Sequence, residues 1–220
     1  YTLPIPFVGI VAWVLFSYSQ FFSSLVMWEV IRPALAMVST YGGIFLYNFL
    51  IVEKDKRFLK DVELRKKIEN SRAIADVDFT AYDIIFLAGG WGAAYDLGYS
   101  DELGQKISDA YYTDKTIIGG VCHGPLGLIR AKDKNGKVLI AGRRMTAVTD
   151  KQIKQLLITA TPQHPETELR KAGALFESQS KLIDMFATHA VVDDEKRFVT
   201  GQNQNSGHET AHKMMELIEN

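Results

Sequence analysis

The chain contains a single cysteine, Cys122, and its neighbours are residues that favour a reactive thiol. Gly119 and Gly120 lie just before it, His123 follows it directly, and Gly124-Pro125 come next. Glycines allow a sharp backbone turn, and a histidine beside a thiol can accept its proton. A lone cysteine can also be a small buried hydrophobic residue. The pattern of flanking residues favours a nucleophile.

The elements on either side of Cys122 predict how it is held. Ile117 and Ile118 are typical of the end of a short buried strand. Residues 126–130 are typical of the first turn of a helix. A strand-to-helix turn would hold Cys122 in a strained conformation with its side chain out of the sheet. Helix N-termini stabilise thiolates, so the sequence predicts a lowered pKa for this thiol.

Composition narrows the classes of function. The formal net charge of the 220 residues is −1, which gives no support for nucleic-acid binding. One cysteine excludes an internal disulfide framework and fits a reducing compartment. The length suits one domain of moderate size with a full core.

An apolar block, residues 1–52, carries only two charged side chains, Glu29 and Arg32. One interpretation places residues 7–16 as a central parallel strand, which would be apolar on both faces. The other makes the block a membrane anchor, paired with a second span around residues 44–52, because its uncharged stretches are long enough to cross a bilayer. Basic residues just after the block would then keep the larger part in the cytoplasm. Both interpretations stay open at this stage.

Strands alternate with helices in the rest of the chain, which predicts an α/β sandwich with a mostly parallel sheet. The domain division expected is an N-terminal block, 1–53, and a catalytic domain, 54–220. The predicted helices are 54–71, 101–112, 126–131 and 206–219, and the predicted strands are 84–87, 117–118, 145–148, 174–177, 189–192 and 197–200.

Several separated segments of residues 54–220 resemble the ThiJ/PfpI superfamily, which has the class I glutamine-amidotransferase-like fold. Within it they most resemble the heat-shock chaperone and glutathione-independent glyoxalase (glyoxalase III) branch. The segments are Tyr82 to Gly92, Val121 to Pro125, Gly142 to Thr146, Pro162 with Glu166 and Leu169, and Thr200 to Ser206. The resemblance implies a flavodoxin-like three-layer α/β/α sandwich with a mostly parallel sheet.

The resemblance also implies a cysteine, histidine and acid arrangement with an oxyanion hole. Cys122 would be the nucleophile and His123 the base, and the N–H groups of Gly90 or Trp91 and of His123 would stabilise a developing oxyanion. Glu29 lies in a segment that resembles the family's Trp-Glu segment, whose glutamate hydrogen-bonds the catalytic thiol.

Two departures from the family pattern affect the site. The glutamates that usually follow the Thr-Asp step are replaced here by Lys151 and Gln152, so Asp150 is the candidate partner of His123. The family's Gly-Gly-His-Gly is Gly-Gly-Trp-Gly, which makes Trp91 a candidate wall of the pocket or a packing residue.

His164-Pro165-Glu166 resembles the base and orienting acid of true glutamine amidotransferases. Pro165 is equally typical of the first residue of a helix. His208 and His212 would share one helix face without a third ligand nearby, so no metal is expected.

The expected function is conversion of small 2-oxoaldehydes such as methylglyoxal to 2-hydroxy acids, with no glutathione, cofactor or metal. The partner would be a small-molecule carbonyl substrate, and the chain is expected to act as a cytoplasmic homodimer. Membrane association through residues 1–52 stays an alternative. Two other functions are kept: a stress-responsive holdase or redox sensor in which Cys122 is oxidised, and a glutamine amidotransferase-like amidohydrolase.

Overall fold

The computed structural model describes residues 60–113, 115–158 and 161–219. These residues belong to two units that divide between Arg72 and Ala73. Glu29, the strand predicted at 7–16 and the alternative membrane spans all lie outside the described residues. In the described part of the chain, no helix has both the length and the apolar character needed to cross a bilayer.

The first unit, over its described residues 60–72, contains helix α1, Val62–Glu69. Asp61 starts this helix, because its carboxylate accepts a hydrogen bond from the Leu64 N–H at 3.0 Å. Glu63 in the first turn and Lys66 and Lys67 in the last complement the helix dipole.

The second unit holds the remaining elements, which alternate along the chain. The helices are α2 (Asp101–Tyr111), α3 (Asp150–Gln155), α4 (Pro165–Lys171) and α5 (Gly207–Glu219). The strands are β1 (Ile84–Leu87), β2 (Ile117–Val121), β3 (Arg144–Met145), β4 (Leu175–Phe176), β5 (Ala190–Val192) and β6 (Phe198–Gly201).

The main sheet has the strand order β1-β2-β6-β5. β1, β2 and β6 are parallel, and β5 pairs antiparallel with β6 at the edge. β3 and β4 form a separate parallel pair. The mostly parallel α/β architecture predicted from the sequence is therefore confirmed.

Successive residues of the central strands face opposite layers of helix. In β2, Ile118 joins the cluster that contains Leu103 and Ile107 of α2, whereas Ile117 packs with Met214 of α5. Side chains alternate across a strand, so one apolar strand serves both layers. Each fully buried aliphatic side chain contributes about 1.5–3 kcal/mol to folding.

Two local predictions are wrong. The segment after Cys122 forms a short 3₁₀ turn, Gly124–Leu128, because two glycines and a proline are poor α-helix formers. The apolar pattern of the last helix predicts that Ala211, Met214, Met215 and Ile218 are buried; in α5 only Met214 is buried, and the other three are exposed. Of the two short helices α3 and α4, which border the site, the sequence predicts only the start of α4, at Pro165.

Candidate active site

Cys122 lies directly after β2, at the carboxyl end of the central strand. Its φ is +63°, a left-handed conformation that non-glycine residues rarely adopt. Its N–H donates to the carbonyl of Gly201 at 2.9 Å, and its carbonyl accepts from the Val148 N–H at 3.1 Å. These bonds hold the strained residue in place, as the predicted strand-to-turn elbow requires.

Glycines allow the loop after β1 to press against this elbow. A Cβ at Gly89 would lie 2.5 Å from the Val121 carbonyl oxygen and 2.8 Å from the Cβ of Cys122. A Cβ at Gly124 would lie 2.0 Å from the carbonyl oxygen of Leu87. Neither position has room for a side chain, so both glycines are required for the close packing around the thiol.

The thiol and the imidazole of His123 form a pair. Sγ of Cys122 lies 3.3 Å from Nδ1 of His123, and the histidine is 2% exposed. The ring of Trp91 meets the imidazole edge to face, with centroids 4.6 Å apart. Trp91 therefore packs against the imidazole of His123, and its role as a wall of the site stays a prediction.

Burial controls the protonation of both groups. It raises the pKa of Cys122 to about 11, although hydrogen bonds from the N–H groups of His123 and Gly90 lower it in part. Burial, with a smaller contribution from the charge of nearby His164, lowers the pKa of His123 to about 4. The lowered thiol pKa expected from the sequence is wrong, because burial outweighs the short 3₁₀ turn. At neutral pH the pair consists of a neutral thiol and a neutral imidazole.

Two of the predicted oxyanion donors face the sulfur. The N–H groups of Gly90 and His123 lie near enough to Cys122 to lower the pKa of its thiol. A carbonyl carbon bound to Sγ would place its oxygen close to the same donors. The oxyanion role of Gly90, Trp91 and His123 stays a prediction.

Asp150 contacts a histidine other than the one expected. Its Oδ1 lies 3.5 Å from Nδ1 of His164, and its Oδ2 accepts a 2.6 Å hydrogen bond from the Thr167 hydroxyl. Nε2 of His123 has no hydrogen-bond partner among the described residues, so Asp150 does not bind it directly. The sequence offered no signal for Thr167, because its contact with Asp150 exists only when α3 and α4 pack together.

The His164-Pro165-Glu166 segment does not assemble as a base with its orienting acid. Pro165 is the first residue of α4, as its type predicts. Glu166 instead accepts a 3.0 Å hydrogen bond from the Asp150 N–H and pairs with Arg170 at 2.9 Å. The acid that faces His164 is Asp150.

Five buried side-chain polar atoms have no hydrogen-bond partner within the described ranges. Among the described residues they are His123 Nε2, Thr146 Oγ1, Asp150 Oδ1, Gln152 Oε1 and Gln163 Oε1. Proteins usually satisfy nearly all buried polar groups, and the exceptions need an explanation such as a catalytic role. His123 belongs to the elbow and the others to residues 146–163, which begin at the segment bonded to the Cys122 carbonyl.

The remaining histidines that the sequence singled out lie elsewhere. His189 lies 3.7 Å from Glu177, and the rings of His208 and His212 are 6.1 Å apart on α5. Within the described ranges, no group of three or more His, Cys, Asp or Glu side chains is arranged to hold a metal ion.

A parallel α/β sheet with a strained cysteine after its central strand and a histidine next in sequence defines a class of cysteine-dependent α/β proteins. The model of the DJ-1/PfpI family matches residues 26–217, and the chain belongs to this family.

Three similar proteins illustrate the range of relatives. A probable glutathione-independent glyoxalase of Schizosaccharomyces pombe is 29% identical over 189 residues, which are 83% of this chain and 82% of the relative. The Rapid Encystment Protein of Francisella tularensis is 30% identical with a TM-score of 0.69, covering 75% of this chain and 71% of that one. Glyoxalase III of Candida albicans is 27% identical with a TM-score of 0.64, covering 76% of this chain and 71% of that one.

Proposed function

We propose that this protein converts small 2-oxoaldehydes such as methylglyoxal to 2-hydroxy acids without glutathione. The observation that carries the proposal is the 3.3 Å contact between Sγ of Cys122 and Nδ1 of His123 on a strained elbow. Family membership and similarity to proteins named as glutathione-independent glyoxalases support the choice of substrate.

The reaction begins with attack of the thiol on the aldehyde carbon. As the S–C bond forms, the proton of Sγ passes to Nδ1 of His123, and the former carbonyl oxygen becomes an alkoxide that faces the N–H groups of Gly90 and His123. His123 then gives this proton to the alkoxide oxygen. The product is a thiohemiacetal. Because both partners are neutral at rest, the proton moves within the pair during attack, with no preformed thiolate.

The second half moves a proton between carbons. A base removes the hydrogen of the former aldehyde carbon as a proton, and the oxygen of the adjacent carbonyl takes up a proton, which gives an enediol. The adjacent carbon is then protonated while the hydroxyl on the former aldehyde carbon loses its proton and becomes a carbonyl. The result is a thioester of a 2-hydroxy acid. Water then cleaves the thioester, releases the acid and restores the thiol, so the net change is addition of one water to the oxoaldehyde.

The test is methylglyoxal consumption and lactate formation by purified protein in the absence of glutathione. Cys122→Ser should reduce both to background while the melting temperature stays within a few degrees, because the hydroxyl fits the same turn. His189→Gln is the matched control, since it alters a partly buried histidine outside the pair, and it should keep normal turnover. Turnover that survives Cys122→Ser would refute the proposal.

The same preparations separate the alternative functions. Suppression of client aggregation without methylglyoxal turnover would favour the holdase, and ammonia release from glutamine would favour the amidohydrolase. We further propose that Glu29 hydrogen-bonds the thiol, and that the protein acts in the cytoplasm as a homodimer. Light scattering coupled to size-exclusion chromatography would test the dimer.

A further inference from the structure

The indole of Trp91 lies beside the pair of side chains that would react. Its ring centroid is 4.6 Å from the imidazole centroid of His123, and Nδ1 of that imidazole is 3.3 Å from Sγ of Cys122. Trp91 and Cys122 are both partly exposed, whereas His123, which contacts both of them, is 2% exposed. Solvent therefore reaches the indole and the thiol, and the buried imidazole joins the two.

The loop that carries Trp91 is held against the elbow. An added Cβ at Gly89 would lie 2.8 Å from the Cβ of Cys122, so the backbone two residues before Trp91 touches the side chain of the nucleophile. The 3₁₀ turn that begins at Trp91 continues into two buried residues, Ala93 and Ala94. Contacts on both sides of Trp91 in the chain therefore fix the indole near the thiol.

The indole has an aromatic face available to a ligand. Its plane and that of the His123 imidazole are 61° apart, and in this edge-to-face arrangement at least one indole face is not covered by the imidazole. Among the described residues, no second aromatic ring or cation stacks on Trp91. An open indole face favours a further aromatic ring in offset-stacked or edge-to-face geometry.

The substituent of a 2-oxoaldehyde would start close to this face. When the aldehyde carbon is bound to Sγ of Cys122, the substituent on the neighbouring carbonyl carbon begins only three bonds from the sulfur. We propose that Trp91 packs against an aromatic substituent at this position, so that the site prefers aryl 2-oxoaldehydes such as phenylglyoxal to methylglyoxal. Trp91 determines which substrate is chosen and takes no part in bond making. The inference rests on the proposed function, with mandelate formed from phenylglyoxal as lactate is from methylglyoxal.

Turnover of the two oxoaldehydes without glutathione tests the preference. In wild type, kcat/KM should be larger for phenylglyoxal than for methylglyoxal. Trp91→Leu keeps an apolar side chain but has no aromatic face, so it should lower the ratio of the two kcat/KM values at least about threefold, whereas Trp91→Phe should keep most of the ratio. Tyr99→Leu removes an aromatic ring that is 49% exposed at the end of the same loop, and as the matched control it should leave the ratio unchanged.

Alkylation of Cys122, the only cysteine of the chain, tests the same preference without turnover. Phenacyl bromide and bromoacetone carry the same CH₂–Br group beside a carbonyl and differ only in a phenyl or a methyl substituent. The sulfur bonds to the CH₂ carbon, bromide leaves, and the thiol proton passes to solvent. The ratio of the two labelling rates, followed by intact-protein mass, should fall at least about threefold in Trp91→Leu and should change little in Trp91→Phe and Tyr99→Leu.

The two experiments separate failure of this inference from failure of the proposed function. If wild type consumes neither oxoaldehyde, the proposed function fails, and the alkylation ratios still decide whether Trp91 recognises an aromatic substituent. If wild type consumes methylglyoxal but both ratios are equal in wild type and Trp91→Leu, the proposed function stands and the role of Trp91 is overturned. A wild type that prefers methylglyoxal also overturns it. Melting temperatures of the variants show whether a changed ratio reflects loss of fold.

Discussion

Polar groups have different surroundings at the amino ends and at the carboxyl ends of β2 and β6. At the amino ends, charged side chains are paired with one another and with the backbone. At the carboxyl ends, burial favours the neutral forms of the Cys122 thiol and of His123, and Nε2 of His123 lacks a partner in the described residues. The same strands thus support a stabilising network at one end and a reactive site at the other.

Asp193 is the centre of the amino-end network. Its carboxylate is 1% exposed, accepts from Arg143 Nη1 at 2.5 Å, and accepts from the N–H groups of Arg197 and Phe198 at 2.7 Å each. The second terminal nitrogen of Arg143 donates to the hydroxyl of Tyr111 at 2.7 Å. Every charge brought out of water here has several strong partners, which is the condition under which a buried ion pair is tolerated.

The two ends also differ in how their polar groups affect the stability of the fold. Each unsatisfied buried polar group costs about 1–3 kcal/mol, and a non-glycine residue at positive φ adds a further cost. Two of these costs fall at the elbow itself, the unsatisfied Nε2 of His123 and the positive φ of Cys122. The sheet core and the amino-end network offset them, so changes at the two ends should have different consequences.

The largest expected effect comes from breaking the network at Asp193. Asp193→Ala should lower the free energy of unfolding by about 3–5 kcal/mol, because Arg143 would lose its buried carboxylate partner and keep only the exposed Glu195, and the N–H groups of Arg197 and Phe198 would lose their acceptor. Denaturant unfolding measures the loss, and turnover per folded molecule should be retained. Asp194→Ala is the matched control: its side chain is 77% exposed and lies 3.6 Å from Arg144, so it should cost no more than about 1 kcal/mol. Equal losses of unfolding free energy in Asp193→Ala and Asp194→Ala would contradict the stabilising role of the network at the amino ends.

The reactive end should also make stability depend on pH on both sides of neutrality. His123 takes up its proton near pH 4 in the folded state but near 6.5 when unfolded, so unfolding becomes easier as the pH falls through 6.5 toward 4. Cys122 keeps its proton to about pH 11 when folded but only to about 9.0 when unfolded, so stability is also lost as the pH rises through 9 toward 11. At its extreme, each of the two pKa differences corresponds to a loss of about 3 kcal/mol in the free energy of unfolding.

Urea unfolding measured across pH would test both sides. The loss of unfolding free energy below pH 6.5 should be smaller in His123→Gln than in wild type. The loss above pH 9 should be smaller in Cys122→Ala. Difference curves against wild type cancel the other titrating groups. If neither variant alters its side of the curve, burial does not set the protonation of this pair.

The smallest expected effect on stability comes from alanine substitution at two glycines of one loop, Gly89 and Gly92. Gly89→Ala should cost about 1–3 kcal/mol and lower turnover, because the new Cβ would push into the elbow. Gly92→Ala should change stability by about 0.5 kcal/mol at most, since a Cβ there meets nothing within 4 Å. Thermal unfolding and methylglyoxal assays on both variants make the comparison, and a tolerated Gly89→Ala would show that the loop does not position the thiol.

Much of the fold could be predicted from the sequence because its signals are local. The apolar run at Ile84–Leu87 and the pattern of α2 correspond to observed elements. The glycines around Cys122 predicted a turn, and the turn is there with a positive φ. Short elements were less certain: β3 and β4 span two residues each, too few for a period to be read.

The sequence by itself determined the family, the elbow and the adjacency of Cys122 and His123, since these depend on residues that are neighbours in the chain. Only the tertiary structure decided the protonation of the pair, because desolvation depends on what packs over the thiol and the imidazole. It also decided that Asp150 faces His164, and that Thr167 fixes the carboxylate. Those contacts join α3 to α4 across a loop, and no pattern along the chain encodes which side chains meet when two short helices pack.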